Sequence, residues 1–438
     1  LPNQCENHRL FGYFKVFMKI AVIGAGIIGI ATAYELAQDG HKVTVYDSKA
    51  AAAEGASFAN TGVIAPSRTL PLSLPDWSQP SVWHFLRSVR NISLKKGISA
   101  QDIRWLWRWG HSSGALEDAS ALSAMYALSA YSQQRMDDIT GDAGLEFEGS
   151  EGHLLVFPTE ASAKQYQPTL AILKSHGVAL KELNATELTA IDPALSSSGT
   201  LHGGIHLPND SVGNCRQFGL LLKLEAQKLG TQFVFNGAIE EIQTDSAITL
   251  IPKDRSAART FDGVVLCTGD IPTFLRQRIH AKVPTANVYG YSLSASIREP
   301  LNAPRSVVTD VASQIVIARI GNRVRVSGGA ELGADAEYKN PTVVQSLFKA
   351  LHHYFPGAVH HPMGTQIWKS ARTMTADGLP FIGATNLPKV WLNLAHGADG
   401  WGTACGSARL LADLVGNKTP DMDAAAFNPA RTPNKKFV

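Results

Sequence analysis

The sequence predicts a mixed α/β (α+β) chain in which a Rossmann-like dinucleotide-binding domain is interleaved with a second domain built on a mixed or antiparallel sheet. Three observations predict it. Gly24-Ala25-Gly26-Ile27-Ile28-Gly29 stands between a short apolar run and a stretch rich in Ala and Ile. β-Branched runs recur late in the chain, at 288–297, 315–318 and 323–328, as strands of such a sheet require. Segments of nucleotide-binding type lie at 18–63, 205–270 and 370–415, with other sequence between them.

The first unit is the most complete. Residues 20–23 read as a buried parallel strand, 27–38 as a helix that ends at Gly40, and 41–46 as the next strand. That is a βαβ unit in about the ~30 residues such a unit needs. The stretch 20–36 is apolar enough to suggest a membrane span, but its glycines and Tyr34-Glu35 favour strand, turn and helix. Residues 50–75 read as loop and 80–140 as mainly helical. Trp105, Trp107 and Trp109 fall on different helix faces, so they pack with one ring exposed, or they mark a partner or membrane contact. Further on, 152–157, 232–235 and 261–268 read as strands, and 160–192 and 215–229 as helix.

The interleaving predicts two discontinuous domains. The nucleotide-binding one takes 18–75, 205–285 and 365–416; the substrate-binding one takes 76–204 and 286–364. Residues 1–17 precede Met18, a plausible natural start, and form an extension with no readable role and no orderly secretory pattern. At 438 residues the chain is too long for one ordinary core. A net charge of +3 without a basic tract predicts no nucleic-acid partner. Four cysteines without a CxxC pair predict a reducing compartment rather than a disulfide framework.

Each residue of the Gly-rich turn has a physical task. Gly24 permits the tight turn, Gly26 lets backbone approach a pyrophosphate, and Gly29 lets helix and strand close together. The amides of Ile27, Ile28 and Gly29 at the helix start face the phosphates, where the helix carries about half a positive charge. Asp47, ending the second strand, accepts ribose hydroxyls. Gly55-Ala56-Ser57 and Asn60-Thr61-Gly62-Val63 form a small-residue loop whose amides can reach a diphosphate or ring.

Two C-terminal runs are more specific: Trp368-Lys369-Ser370-Ala371-Arg372-Thr373-Met374-Thr375-Ala376-Asp377-Gly378-Leu379-Pro380-Phe381-Ile382-Gly383, and His396-Gly397-Ala398-Asp399-Gly400-Trp401-Gly402-Thr403-Ala404-Cys405-Gly406. With them the chain, from Met18 to about Gly416, resembles the D-amino-acid dehydrogenases (small-subunit type) of the FAD-dependent D-amino-acid oxidase and glycine oxidase superfamily. It departs from that pattern at Thr373, where Pro is usual, at Ala395, where Gly is usual, and at Tyr289, where Lys is frequent.

The resemblance implies FAD as cofactor and makes the first domain FAD-binding. It adds Ser48, Ile239, Thr268, Gly269 and Arg372 to the cofactor contacts. The Gly-rich turn of Gly397, Gly400, Trp401, Gly402 and Thr403 would stabilise negative charge on the reduced ring. It also implies that Arg319 and Arg372 bind the substrate carboxylate, as planar guanidinium groups do well, with Tyr291 beside the site. The reaction implied is oxidative deamination of D-amino acids to 2-oxo acids and ammonia, by hydride transfer from the α-carbon to flavin N5, with electrons passed to a quinone-type acceptor. Two alternatives stay open: a secondary-amine enzyme acting on proline, hydroxyproline, sarcosine or glycine, and a flavin-binding subunit of a hetero-oligomeric dehydrogenase. A cytoplasmic location is expected, with room for peripheral attachment to the cytoplasmic face of the inner membrane or for a partner subunit. The histidine pairs His352-His353 and His360-His361 lack the spacing of a metal site, so no metal is expected. Cys215 is expected to be structural.

Overall fold

In the computed structural model, residues 17–69, 93–95, 97–112, 119–195, 201–245, 247–333, 336–360 and 364–432 are described. Most of the 1–17 extension and residues 70–92 lie outside them.

The apolar Lys19–Ile23 strand is central in a six-stranded sheet and is buried along nearly its whole length. It pairs in parallel with Lys42–Tyr46 on one side and Gly263–Leu266 on the other. Gln232–Val234 extends one edge in parallel; Val390–Leu394, parallel, and Phe381–Ala384, antiparallel, extend the other. Neighbours diverge on either side of the first strand, so a crevice opens at its carboxyl end, where ligands of such sheets bind. The Ile27–Gln38 helix is buried on almost every side because the Cys215–Lys228 and Ala404–Val415 helices pack against it. A β-carbon on Gly29 would stand 1.8 Å from the Gly24 carbonyl oxygen, so only glycine allows this closure.

A ten-stranded mixed sheet forms the second layer. Its main path runs Gln366–Thr375, Thr285–Ser296, Arg323–Leu332, Ile315–Ile320, Val307–Asp310, Ser150–Phe157, Gly203–Val212 and Val63–Ile64. The Pro341–Tyr354 helix covers one face through Leu347 and Leu351, which pack on Ile315, Ile317 and Leu293. The opposite face meets Val63 and Ala65 of the nucleotide-side loop. A small antiparallel sheet of Ile239–Gln243, Ile248–Pro252 and Arg259–Phe261 flanks the first.

The domain boundaries differ from the sequence reading in three places. Strands Gly203–Val212 and Gln366–Thr375 belong to the ten-stranded sheet, not to the nucleotide-binding layer. The Ala119–Ala143 helix packs on both layers: Met125 and Leu128 join the core of the nucleotide-binding layer, and Leu122 joins that of Leu155 and Phe157 in the second. A strand's hydrophobic alternation shows that it is half buried, not which sheet recruits it. The Ala119–Ala143 helix is held by charge: the fully buried carboxylate of Glu35 accepts from Arg135 (2.7 and 3.1 Å) and from Arg409 (2.8 Å). Arg409 also reaches Asp39 and Asp413, tying three helices together. Removing one partner from such a cluster costs about 3–5 kcal/mol, because a buried charge is left behind.

The tryptophans behave as packing with one exposed ring. Trp105 is fully buried and stacks on Trp109 at 5.2 Å, whereas Trp107 is half exposed.

Candidate active site

The Gly-rich turn is built as a cradle. Gly24 has φ +111°, a conformation open to glycine, and donates to the Tyr46 carbonyl at 2.7 Å. A β-carbon on Gly26 would meet only the Ser57 hydroxyl, at 3.6 Å, so this side of the turn is open to a ligand. Gly26 caps the Ile27–Gln38 helix with no side-chain hydrogen bond, which leaves amides at the helix start for a phosphate. Asp47 accepts from Ala25 N–H at 2.6 Å and from Lys49 N–H at 2.8 Å. The carboxylate thus fixes the turn, and each oxygen keeps a lone pair for a ribose hydroxyl. Ser57 takes the Ile27 amide at 3.1 Å. Gly24, Gly26, Ile28, Asp47, Ser48, Ala56, Thr268 and Gly269 all keep exposed surface, and Ile239, on the small sheet, is partly buried against the core cluster of Tyr46 and Phe261.

The C-terminal turn closes the crevice. Ala395 and Gly397 both have positive φ (+63° and +61°), which accounts physically for the usual glycine at 395. The Asn393 amide donates to Thr32 Oγ1 (3.0 Å) and Ser407 Oγ (3.4 Å), hydroxyls that themselves donate to backbone carbonyls. Asn393 Oδ1 is therefore an acceptor, and His396 Nε2, at 2.9 Å, is protonated. His396 Nδ1 lies 3.0 Å from Thr403 Oγ1. His396 keeps some surface, but its ring nitrogens are enclosed, and burial pushes its pKa down to about 3, so the ring is neutral at physiological pH. Trp401 does not present its ring to the crevice: it is buried among Phe147 and Phe218 and donates to the Gly62 carbonyl at 3.0 Å. Its task is to join this turn to the 60–63 loop, whose shape Asn60 Oδ1 fixes by accepting the Gly62 amide at 2.8 Å.

The expected pair of arginines does not converge. Arg372 pairs with Val288 in register, and its guanidinium lies over Gly290, 3.0 Å from where a β-carbon would stand. This is the sheet face that meets the 57–65 segment. Arg319 alternates with Ala318 and Ile320 and so shares the opposite face with Ile315 and Ile317. Its Nε donates to the Gly321 carbonyl at 3.4 Å. One carboxylate cannot meet both, and the sheet between them corrects the two-arginine clamp.

Tyr291 is corrected likewise. It is fully buried on the Arg319 face, and its hydroxyl donates to Glu331 at 2.7 Å and accepts the Asn340 amide at 3.0 Å. Burial pushes its pKa up to about 12. Burial also works to raise Glu331, but hydrogen bonds from Asn340, Tyr291, Lys369 and Lys95 outweigh it and hold Glu331 at about 2. The cation absent at Tyr289 is supplied by the neighbouring strand: Lys369 Nζ lies 5.1 Å from the Tyr289 ring and 5.3 Å from Tyr291. Thr373, in place of Pro, donates to Asn287 Oδ1 at 2.7 Å across the strand pair.

Several residues on the Arg372 face escaped the sequence reading. Trp368, Ser292 and Ser327 stand directly opposite one another on three adjacent strands, with Arg325 two residues from Ser327. Trp368 Nε1, both serine hydroxyls and Arg325 Nε are buried without a hydrogen-bond partner. Phe58 stacks on Trp368 at 4.5 Å and carries Arg216 on its ring at 4.3 Å. A row of unsatisfied polar atoms under a small-residue loop marks a ligand pocket. Cys215, beside this row, is fully buried with its thiol pushed up to about 12, so it is no nucleophile. Among the described residues, no group of His, Cys, Asp or Glu is arranged to hold a metal ion.

Residues 19–414 match the family described as FAD dependent oxidoreductase (DAO). The chain belongs to this family. FAD is its cofactor, and the open Gly26 cradle, the helix start beyond the Ile27 amide and the unsatisfied polar row fit that group. The chain is similar to a D-amino acid dehydrogenase of Bradyrhizobium diazoefficiens, with 32% identity over 94% of this chain and 99% of that protein. Among solved structures it is similar to glycine oxidase from Geobacillus kaustophilus (TM-score 0.71, 20% identity, 95% of this chain and 99% of the other). It is also similar to L-proline dehydrogenase from P. horikoshii (TM-score 0.70, 15% identity, 95% and 97%). Both likenesses concern the fold.

Proposed function

We propose that this flavoenzyme deaminates D-amino acids oxidatively to 2-oxo acids and ammonia and passes the electrons to a quinone-type acceptor. The observation that carries the reading is Arg372: a guanidinium seated on Gly290, on the sheet face beneath the 57–63 loop, where a bidentate pair with a substrate carboxylate would fix the α-carbon. The full-length likeness to a protein named D-amino acid dehydrogenase supports the choice of substrate. Bound FAD supplies the two-electron acceptor for the α-hydrogen. The protein's part is to orient and to exclude water. Arg372 holds the carboxylate, Trp368 and Phe58 wall the pocket, and neutral His396 holds the Gly397–Thr403 turn without adding charge. Tyr291 and Lys369 act from behind the sheet by positioning it, through Glu331. No described side chain is required as a general base, because the neutral amine's lone pair assists loss of hydride.

A second reading, oxidation of glycine or cyclic secondary amines, draws support from the fold shared with glycine oxidase and L-proline dehydrogenase. Turnover with an artificial acceptor separates the readings. D-Amino acids should give stoichiometric 2-oxo acid and ammonia; turnover confined to proline or N-methyl substrates moves the assignment to the second.

No helix among the described residues is long and apolar enough to cross a membrane. Peripheral contact is the route we propose to a quinone. The Ala100–Ser112 helix exposes Ile103 and Trp107 four residues apart, and Arg104 and Arg108 beside them line a cleft of about 480 Å³ with Arg276 and Lys282. Apolar anchors beside cations suit an anionic bilayer surface. Trp107→Ser should weaken flotation with anionic vesicles; unchanged flotation removes the idea.

A further inference from the structure

Arg325 is an unusual cation. Its residue is only 8% exposed, and it has no carboxylate within ion-pair distance among the described residues. Its Nη1 donates to the Asn60 carbonyl at 2.5 Å, while its Nε is buried without a partner. A buried charge without a counter-ion is costly to hold. Arginine cannot shed its proton, even though burial pulls its pKa down. The groups around it offer little relief. Cys215 is a neutral thiol, Arg323 repels it, and Glu148 attracts it without a hydrogen bond. The four other orphaned or cofactor-side features of this face lie around it: Ser327 and Ser292, Trp368, and the 60–63 loop that Trp401 holds from the other side. A buried charge with no counter-ion among the described residues is stabilised where an anion binds beside it.

We propose that Arg325 is a positioning residue of the flavin site: it clamps the 60–63 loop by the Asn60 carbonyl and supplies the uncompensated positive charge that favours the reduced, anionic cofactor. Bound FAD would supply the acceptor for a hydride, two electrons with one proton, and would be left more negative, a charge that Arg325 would offset. A fixed cation in a low-dielectric pocket stabilises that state over the oxidised one. Because Arg325 acts on the cofactor, the inference rests only on FAD as cofactor and is independent of which amine is the substrate.

The test uses the FAD-loaded full chain without substrate. Its reduced-to-oxidised ratio is measured against a reference dye at fixed potential for wild type, Arg325→Lys, Arg325→Gln and Arg325→Met. The neutral variants should lower the ratio tenfold or more, about 30 mV for a two-electron couple, and Lys should recover most of it. If Met does not fold, the Lys and Gln pair gives the same comparison, because the two variants differ chiefly in charge. An unchanged ratio in Gln or Met overturns the proposal. So does an unchanged ratio accompanied by a raised KM, which would make Arg325 a ligand of the substrate carboxylate instead.

Discussion

The guanidinium of Arg372 lies 3.0 Å from the point where a β-carbon of Gly290 would stand. The two residues sit on neighbouring strands, two residues apart in register, and glycine leaves the space that lets the guanidinium lie against the sheet. Gly290→Ala should therefore displace the guanidinium by some tenths of an ångström. Misplacement on that scale should lower kcat/KM about tenfold or more, mainly through KM, with the flavin spectrum unchanged. Arg372→Met should lose more, and Arg372→Lys, which keeps charge but not the planar fork, should fall between. Steady-state kinetics check the order; equal activity of all three variants would remove Arg372 from the site. Arg319→Met should leave KM within about twofold, because its side chain faces the other side of the sheet.

Gly29→Ala tests the cofactor cradle. The new methyl would stand 1.8 Å from a backbone oxygen that cannot rotate away. Overpacking of that kind costs about 3 kcal/mol, the upper end of its usual range. The expected protein holds little FAD, and its apo form melts lower. Flavin-to-protein absorbance measures the first and calorimetry the second.

That cradle was legible in the sequence because its demands are local. A strand, a turn without side chains and a helix start are each specified within a few residues. That Arg319 faces away from the 57–65 segment was not legible, since a period of two separates the faces of a strand without saying which face meets the other domain. Trp401 shows the same limit: the Gly-rich segment around it was readable, but its ring turns inward onto Phe218. Nothing in the sequence singles out Arg325; its burial is what sets it apart. The membership of Gly203–Val212 and Gln366–Thr375 in the second sheet depends on partners far away in sequence.

The segment after Gly416 is also structural. Arg431 meets Asp377 through Nε at 2.8 Å and Nη2 at 3.0 Å, beside the Asp-Gly turn, and stacks over Phe381 at 4.6 Å. Charge-assisted bonds of this kind contribute about 1.5–3 kcal/mol. Arg431→Ala should lower the unfolding free energy by about that amount. Denaturant titration checks it, and a change under about 0.5 kcal/mol would mean that the tail is dispensable.

Glu331 gives a pH dependence with a definite sign. Its folded pKa, about 2, lies below the ordinary 4.5, so the folded state favours the carboxylate. The stability it contributes is full above about pH 4.5 and is lost as pH falls towards 2. Glu331→Gln should be less stable than wild type at pH 6, because Lys369 loses its buried partner. The gap should narrow through that window. A gap independent of pH would show that Glu331 is not ionised in the fold.

The most direct test is anaerobic. Wild-type protein carrying FAD is mixed with D-amino acids, their L-enantiomers and proline-type amines while the flavin band is followed. The account predicts rapid bleaching by D-amino acids, much slower bleaching by the others, and a rate greatly reduced in Arg372→Met. A flavin band left intact by every D-amino acid, in protein that dithionite reduces normally, would contradict it.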